Sequence, residues 1–221
     1  MTLTEPADAP SGARERKKRE TARAIEVAAV ELALAQGLGE VTVEAISAAA
    51  DVTSRTFFNY YASKEDAVLG NSRAFPPPSL ASVAWRPGSS VRSQVLAAIL
   101  GHLESFDMGS PAFVEKKRLL ISANPHLLAK DFQSLGAIEA EFAREVERLL
   151  GEEARGGPSP LTADDIVPGD QAWAIVFSIG STLRMAMHTW SSVSASTGVD
   201  RTLAEHISYA DRLLLGVASP G

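Results

Sequence analysis

The chain has no cysteine among its 221 residues, which excludes disulfide bonds, thiolate metal sites and cysteine nucleophiles. No apolar run approaches the roughly 18 residues that a membrane-spanning helix needs. The first twenty residues, MTLTEPADAPSGARERKKRE, hold no apolar segment ahead of their basic cluster and therefore do not look like a secretory signal. We expect a cytoplasmic protein that makes no contact with a membrane.

Motifs of catalysis and of metal binding are also missing. The sequence shows no nucleophile elbow, no P-loop and no Gly-rich nucleotide fingerprint. None of the four histidines, His102, His126, His188 and His206, has zinc-type spacing such as HExxH. His188 either bonds a ligand or packs between helices. We therefore expect no enzymatic activity, no catalytic residue, no metal and no cofactor.

No segment shows the period-two alternation of a β-strand, so the sequence predicts an all-α protein. The first helix should run from about residue 14 to 36, with Gly37 as its C-cap and an apolar stripe on its inner face. Later helices are predicted at residues 90–106, 110–123, 124–150, 170–190 and 200–217. Gly151 should end the helix at 124–150.

Residues 41–66, VTVEAISAAADVTSRTFFNYYASKED, predict three short helices in succession. Thr42, Thr53 and Ser63 are suitable N-caps, and Asp66 stands three residues after Ser63 as in a capping box. Two short helices joined by a tight turn, with polar side chains on the second, are typical of a helix-turn-helix.

The net charge of the chain differs in sign from the local charge at the start of the first helix. The net charge is −6 and the pI about 5.3, which by themselves disfavour nucleic acid. Around the start of the first helix, however, six basic residues face only Glu15 and Glu20. This cluster, which includes Arg16, Lys17 and Lys18, either touches DNA or forms a solvated helix start.

The run T-V-x-x-I-S-A-A-A-x-V-T-x-R-T-F-F-N-Y-Y-A-S-K-E-D resembles the DNA-binding domain of the TetR family of bacterial transcriptional regulators. Asp51 stands where the family usually has glycine, and Asp tolerates a left-handed backbone. Residues 1–13 are rich in Pro, Ala, Ser and Gly, a composition that predicts a disordered arm. The resemblance implies a three-helix helix-turn-helix domain at 14–75 and a larger helical ligand-binding and dimerisation domain at 76–221. About nine helices are expected in total, and the helix at residues 63–73 should couple the two domains.

The second helix of the motif should carry the base contacts. The guanidinium fork of Arg55 suits the N7 and O6 atoms of guanine in the major groove. Ser54, Thr56 and Asn59 project from the same helix and add base or phosphate contacts. The resemblance also assigns contacts with the DNA phosphate backbone to Thr42, Phe58, Tyr60 and Lys64. Phe58 lacks the hydroxyl that the family often has at this position. The predicted DNA-binding set is Thr42, Thr53, Ser54, Arg55, Thr56, Phe58, Asn59, Tyr60, Lys64, Arg16, Lys17 and Lys18.

Two later segments, RLLISANPHLLA at 118–129 and TLRMAMHTW at 182–190, look like those of mycofactocin-regulator-like proteins, which implies an acyl-CoA-type ligand. Arg118 and Arg184 would meet an anionic head group or else form internal ion pairs. The last two helices should pair with those of a second subunit, although burial within one chain explains their apolar residues as well. Candidate pocket residues are Phe106, Phe113, Arg118, Leu120, Phe142, Phe177, Leu183, Arg184, Met187 and Trp190.

The hypothesis is a homodimeric repressor that binds a palindromic double-stranded DNA operator and is released by a small apolar effector. Arg55 would read bases while Thr42, Tyr60 and Lys64 hold phosphates. Two alternatives stay open. One is a helical enzyme or ligand carrier with a vestigial motif, and the other is an activator or a ligand-independent architectural factor.

Overall fold

The computed structural model describes residues 10–71, 79–104, 108–156, 168–197 and 201–216. These residues form nine α-helices and no strand, which confirms the all-α prediction. The helices are α1 (Pro10–Gln36), α2 (Val43–Ala49), α3 (Ser54–Tyr60), α4 (Lys64–Leu69), α5 (Val91–Glu104), α6 (Pro111–Ser122), α7 (Pro125–Gly156), α8 (Pro168–Thr197) and α9 (Leu203–Leu214).

The chain divides into two compact units. The first consists of Met1–Pro76 with Lys117–Leu127, and the second of Pro77–Lys116 with Leu128–Gly221. The second half of α6 and the start of α7 belong to the first unit. The domain limits given above stay a prediction.

In the first unit, α2 and α4 pack on α1, and α3 packs on α2. The buried stripe of α1 recurs at helical spacing, as the sequence predicted, and α1 ends where Gly37 takes a φ of +85°. The helix begins at Pro10 rather than at Arg14, so residues 10–13 are helical and not part of a disordered arm. The rest of the predicted arm, residues 1–9, lies outside the described residues.

The three short helices begin at the predicted caps. The side-chain oxygens of Thr42, Thr53 and Ser63 accept hydrogen bonds from the backbone N–H groups of Ala45, Thr56 and Asp66. Each bond satisfies a donor that the first turn leaves without a helical partner. Asp51, in the turn between α2 and α3, has a φ of +53°, which confirms the left-handed backbone expected there.

The helix predicted at residues 63–73 is shorter than expected. It ends at Leu69, because Gly70 adopts a left-handed φ of +78° and its N–H returns to Ala67 and Asp66. Asn71 N also bonds to Asp66 O at 2.9 Å, which closes the C-terminal turn. Arg73, the predicted last residue, lies outside the described residues.

In the second unit, α5, α7, α8 and α9 contribute residues to one apolar core, which includes Val95, Val146, Val176 and Ile207. Polar bonds fix three of these helices around Arg92. Its guanidinium donates to Asp211 Oδ1 at 2.6 Å and to Ser178 Oγ at 3.0 Å, which joins α5 to α9 and α8. The pair with Asp211 is largely shielded from solvent.

The predicted end of α7 and both predicted ends of α8 were wrong. Gly151 does not end α7, which continues to Gly156. The extra turn is anchored by Glu152, whose carboxylate accepts bonds from Trp85 N at 3.1 Å and Arg148 Nη1 at 2.7 Å. These bonds hold the pKa of Glu152 below its usual range. The helix α8 begins at Pro168, two residues earlier than expected, and extends to Thr197.

None of the helices within the described ranges is long and apolar enough to cross a membrane.

Candidate nucleic-acid interface

Helix α3 has an inner face and an outer face. Phe57 is fully buried, and the following residue, Phe58, is 49% exposed with its ring edge-to-face against Phe57. Arg55 and Asn59 are exposed as well, and they lie four residues apart on the same side of the helix. The outer face therefore presents a guanidinium, an amide and an aromatic ring to whatever approaches α3.

Arg55 is available for a partner outside the chain. No hydrogen bond or ion pair engages its side chain within the residues that the structure describes. By contrast, Arg23 and Lys117 of the same unit are both held by Glu26. Among the residues predicted to contact DNA, Ser54, Thr56 and Tyr60 are half-buried beside this surface.

Thr42 and Thr53 are exposed but already serve as helix caps. Thr42 Oγ1 accepts from Ala45 N at 3.1 Å, and Thr53 Oγ1 accepts from Thr56 N at 3.0 Å. Thr53 and Thr56 also share a hydroxyl–hydroxyl bond of 2.9 Å. A DNA contact at either cap would use the remaining capacity of the hydroxyl, which has one donor and two acceptor lone pairs.

Lys64 has a structural partner that the sequence did not indicate. Its Nζ donates to the carbonyl oxygens of Val41 at 2.8 Å and Gly39 at 3.1 Å, which fixes the connection between α1 and α2. An ammonium group has three donors, so one remains for a phosphate. Lys64 therefore supports the loop that precedes α2, whether or not DNA is bound.

The basic segment at the start of α1 is strongly exposed. Arg16 and Lys18 form long pairs with Glu20 and Glu15, at 3.9 and 4.0 Å, and the side chains of Arg16 and Glu20 are both about two-thirds exposed. Such pairs contribute little to stability and are screened by salt. Lys17 is exposed too. This surface can exchange its internal pairs for phosphates at small cost.

The second unit contains a cavity of about 420 Å³. Three helices and the connections next to them form its walls, from residues far apart in the sequence, and none of the described lining residues carries a charge. The lining residues are Leu100, Leu103, Met108, Gly109, Trp190, Thr202, Leu203, Ala204 and Ile207. Volume and lining suit a small, largely apolar molecule.

Most of the predicted pocket residues lie elsewhere, although Trp190 is in the cavity wall. Phe142 and Leu183 pack against the apolar core of the second unit, and Phe177 is 49% exposed on α8. Arg184 is largely exposed, with Nη1 3.8 Å from Glu139. Phe113 is buried and Met187 is half-buried. Leu120 and Arg118 belong to the first unit, and Phe106 lies outside the described residues. Their ligand contacts stay predictions.

Periodicity did not single out the other cavity residues. Leu203 and Ile207 are spaced as one face of α9, but the same spacing is typical of core residues. His206, next to Ile207, is buried, and its Nδ1 lies 3.0 Å from Thr189 Oγ1. Burial lowers the pKa of His206, and the nearby charge of Arg201 adds to this effect. His206 is therefore a neutral core residue near neutral pH.

Apolar side chains on α8 and at the end of α9 are left exposed. Trp173 and Phe177 stack on α8 with ring centroids 5.2 Å apart, and both are more than one-third exposed. Similar exposure is found on α9 for Tyr209, Leu213 and Leu214, and for Leu215, its C-cap. A cluster of this kind is typical of a surface that is covered by another subunit.

Two comparisons with known proteins agree with this geometry. Residues 25–69, from the middle of α1 to the end of α4, match the family model described as bacterial regulatory proteins, tetR family. The chain is also similar to the HTH-type transcriptional regulator TcmR of Streptomyces glaucescens, at 33% identity over 139 residues. That match covers 60% of this chain and 62% of TcmR, so it spans less than two thirds of the relative's length.

Proposed function

We propose that this chain, whose residues 25–69 match the model of the tetR family of bacterial regulatory proteins, is a DNA-binding transcriptional regulator. A homodimer binds a palindromic operator through two copies of α3 and represses transcription. A small, uncharged, apolar effector occupies the cavity of the second unit and lowers the affinity for the operator.

The observation that carries the proposal is the exposed and unengaged guanidinium of Arg55 on the outer face of α3, as far as the described residues show. Arginine at such a position forms two hydrogen bonds to guanine in the major groove. Asn59, one turn later, is suited to adenine in the same way. Arg55 and Asn59 are therefore the proposed base-reading residues, with Ser54, Thr56 and Phe58 beside them.

Phosphate contacts would come from the surfaces on both sides of α3. Tyr60 and Lys64 follow it in sequence, Thr42 and Thr53 cap the two helices of the motif, and Arg16 to Lys18 provide an exposed basic segment. Lysine and arginine contacts of this kind release counterions from DNA and make the affinity fall with salt. The local basic segment offsets the net negative charge of the chain.

The exposed apolar residues of α8 and α9 support dimerisation through the last two helices. One helix-turn-helix has a small contact area, and two at fixed spacing read both half-sites of a palindrome. The aromatic pair Trp173–Phe177 and the leucines at 213–215 would be covered by the same residues of a second copy.

The lining of the cavity supports a proposal about the chemical character of the ligand. Its wall offers the Thr202 hydroxyl as a side-chain hydrogen-bonding group and otherwise apolar side chains and backbone. An ionised head group buried there would meet no opposite charge among the described lining residues, and burial of an unpaired charge is strongly unfavourable. The cavity therefore favours an uncharged molecule, or an uncharged part of a larger one, over the anionic group of an acyl-CoA.

The test begins with selection of a binding duplex from random-sequence DNA by the wild-type protein, followed by mobility-shift titration at several salt concentrations. We expect a palindromic duplex, a complex with two protein copies by light scattering, and an affinity that falls with salt. Arg55→Ala should cost roughly 1–3 kcal/mol and relax specificity at one base position of each half-site.

Arg144→Ala is the matched control, because it removes an exposed arginine from α7, outside the helix-turn-helix domain. It should leave both affinity and specificity unchanged. Failure to select any duplex would refute the proposed function. Unchanged specificity in Arg55→Ala would refute the assignment of the reading residue only.

A further inference from the structure

Helix α6 contributes residues to both units, and an ion pair links its residue Lys117 to α1 within the first unit. Lys117 Nζ donates to Glu26 Oε1 of α1 at 2.7 Å, while the other carboxylate oxygen accepts from Arg23 Nη1 at 2.9 Å. The side chains of Glu26 and Lys117 are only 14% and 20% exposed. Solvent therefore screens this pair less than the pairs at the start of α1.

The pair also packs on the end of α4. A Cβ atom added to Gly70, the C-cap of α4, would lie 2.9 Å from Lys117 Nζ and 3.1 Å from Glu26 Oε1. Lys117 and Glu26 thus occupy the space beside a glycine that the left-handed cap requires. One contact joins α1, the end of α4 and the second half of α6.

The first half of α6 is connected to the cavity. Met108 and Gly109 belong to the cavity wall, and α6 begins at Pro111. Glu115 accepts a hydrogen bond from Ser191 Oγ at 3.2 Å, and Ser191 directly follows Trp190 of the cavity wall. An occupant of the cavity therefore touches residues joined to α6 both through the backbone and through a hydrogen bond.

We propose that the Lys117–Glu26 ion pair is the positioning contact through which the occupant of the cavity changes the affinity for DNA; this inference depends on the proposed function. An occupant that favours a different position of α6 displaces Lys117, and the pair transfers that displacement to α1 and α4. A ligand shifts a conformational equilibrium only by its difference in affinity for the two states. Without the pair, both sites still bind but do so independently.

The experiment measures coupling by its reciprocity. The fluorescence of N-phenyl-1-naphthylamine, a neutral apolar probe, gives its Kd for the full-length protein alone and saturated with the selected duplex. The ratio of the two values equals the effect of the probe on DNA affinity. We expect a ratio of about fivefold or more in the wild type and less than about twofold in Lys117→Met.

Lys117→Met removes the charge but keeps the length of the side chain, and Glu26 remains paired with Arg23. The probe Kd without DNA and the DNA affinity without probe should therefore stay close to wild type. Lys117→Arg should restore the wild-type ratio, and Lys116→Gln, an exposed neighbour on α6, should leave it unchanged. If Lys117→Met unfolds, Glu26→Gln makes the same test.

The outcomes separate the two proposals. A wild-type ratio in Lys117→Met, or a ratio of one in a wild-type protein that binds both partners, would overturn the coupling role of the pair. Failure of the wild-type protein to bind any duplex would instead refute the proposed function, and the coupling inference with it. If Lys117→Met and Glu26→Gln both fail to fold and the ratio of probe Kd values is lost with the fold, the pair is purely structural. That result would also overturn the inference.

Discussion

The proposed DNA-binding surface and the cavity of this protein are assembled in opposite ways. The surface consists of neighbouring residues on one seven-residue helix, α3, where a buried Phe57 is followed by an exposed Phe58. The cavity consists of residues from α5, α8 and α9 and from the connection before α6, as much as a hundred positions apart. A surface site follows from helical periodicity, whereas a cavity is the space that packing leaves unfilled.

The two units also differ in what stabilises them. Helices α2, α3 and α4 have only six or seven residues each and are too short to be stable in isolation. They depend on their caps and on a few buried aromatic contacts, such as Tyr61, whose hydroxyl donates to Ala22 O at 3.1 Å. The second unit has helices of up to 30 residues around one core.

The sharpest test of this difference is Phe57→Ala. Loss of a fully buried ring should cost about 3–5 kcal/mol, because a cavity is left in a small core. All three tryptophans, at positions 85, 173 and 190, belong to the second unit. Denaturation followed by far-UV circular dichroism should therefore show an early transition for the first unit, while tryptophan fluorescence changes little.

Phe58→Ala is the matched control, since it removes the same side chain one position later, where it is half-exposed. Its stability should fall by less than about 1 kcal/mol. Coincident loss of both spectroscopic signals in Phe57→Ala would contradict the expected early unfolding of the first unit.

A smaller effect is expected from filling the cavity. Ala204→Phe places a ring in the apolar space beside Leu203 and Ile207. The Kd of N-phenyl-1-naphthylamine should rise about tenfold, which corresponds to 1.4 kcal/mol.

The control is Ala97→Phe, at an exposed position of α5. It should leave the Kd of the probe as in the wild type. If Ala204→Phe bound the probe as tightly as the wild type does, this cavity would not be the binding site.

The smallest effect concerns pH. Burial lowers the pKa of His206 below 6.5, so above that pH the residue is neutral in both the folded and the unfolded chain. Below it the unfolded chain binds the proton first, and stability is lost as the pH falls towards the folded pKa. The Tm of the wild type should therefore fall more between about pH 7.5 and 5 than that of His206→Gln. Parallel pH profiles would show that acidification acts through other groups.

Local chemistry made the first unit predictable. Thr42, Thr53 and Ser63 cap the helices that their positions indicated, and Asp51 has the backbone conformation expected of a glycine substitute. These features depend on residues within four positions of one another. The predicted extent of α4 was wrong for an equally local reason, because Gly70 is a left-handed C-cap that ends the helix.

The sequence by itself determined the helical class, the helix-turn-helix and the outward face of α3, since each depends on propensities and spacing within a few turns. Only the tertiary structure decided that Lys64 holds the carbonyl groups of Gly39 and Val41, that Lys117 pairs with Glu26, and that Trp190 faces a cavity with Leu203. Those contacts join residues that lie from 13 to 91 positions apart. No periodicity specifies such contacts, because they arise from how whole helices pack.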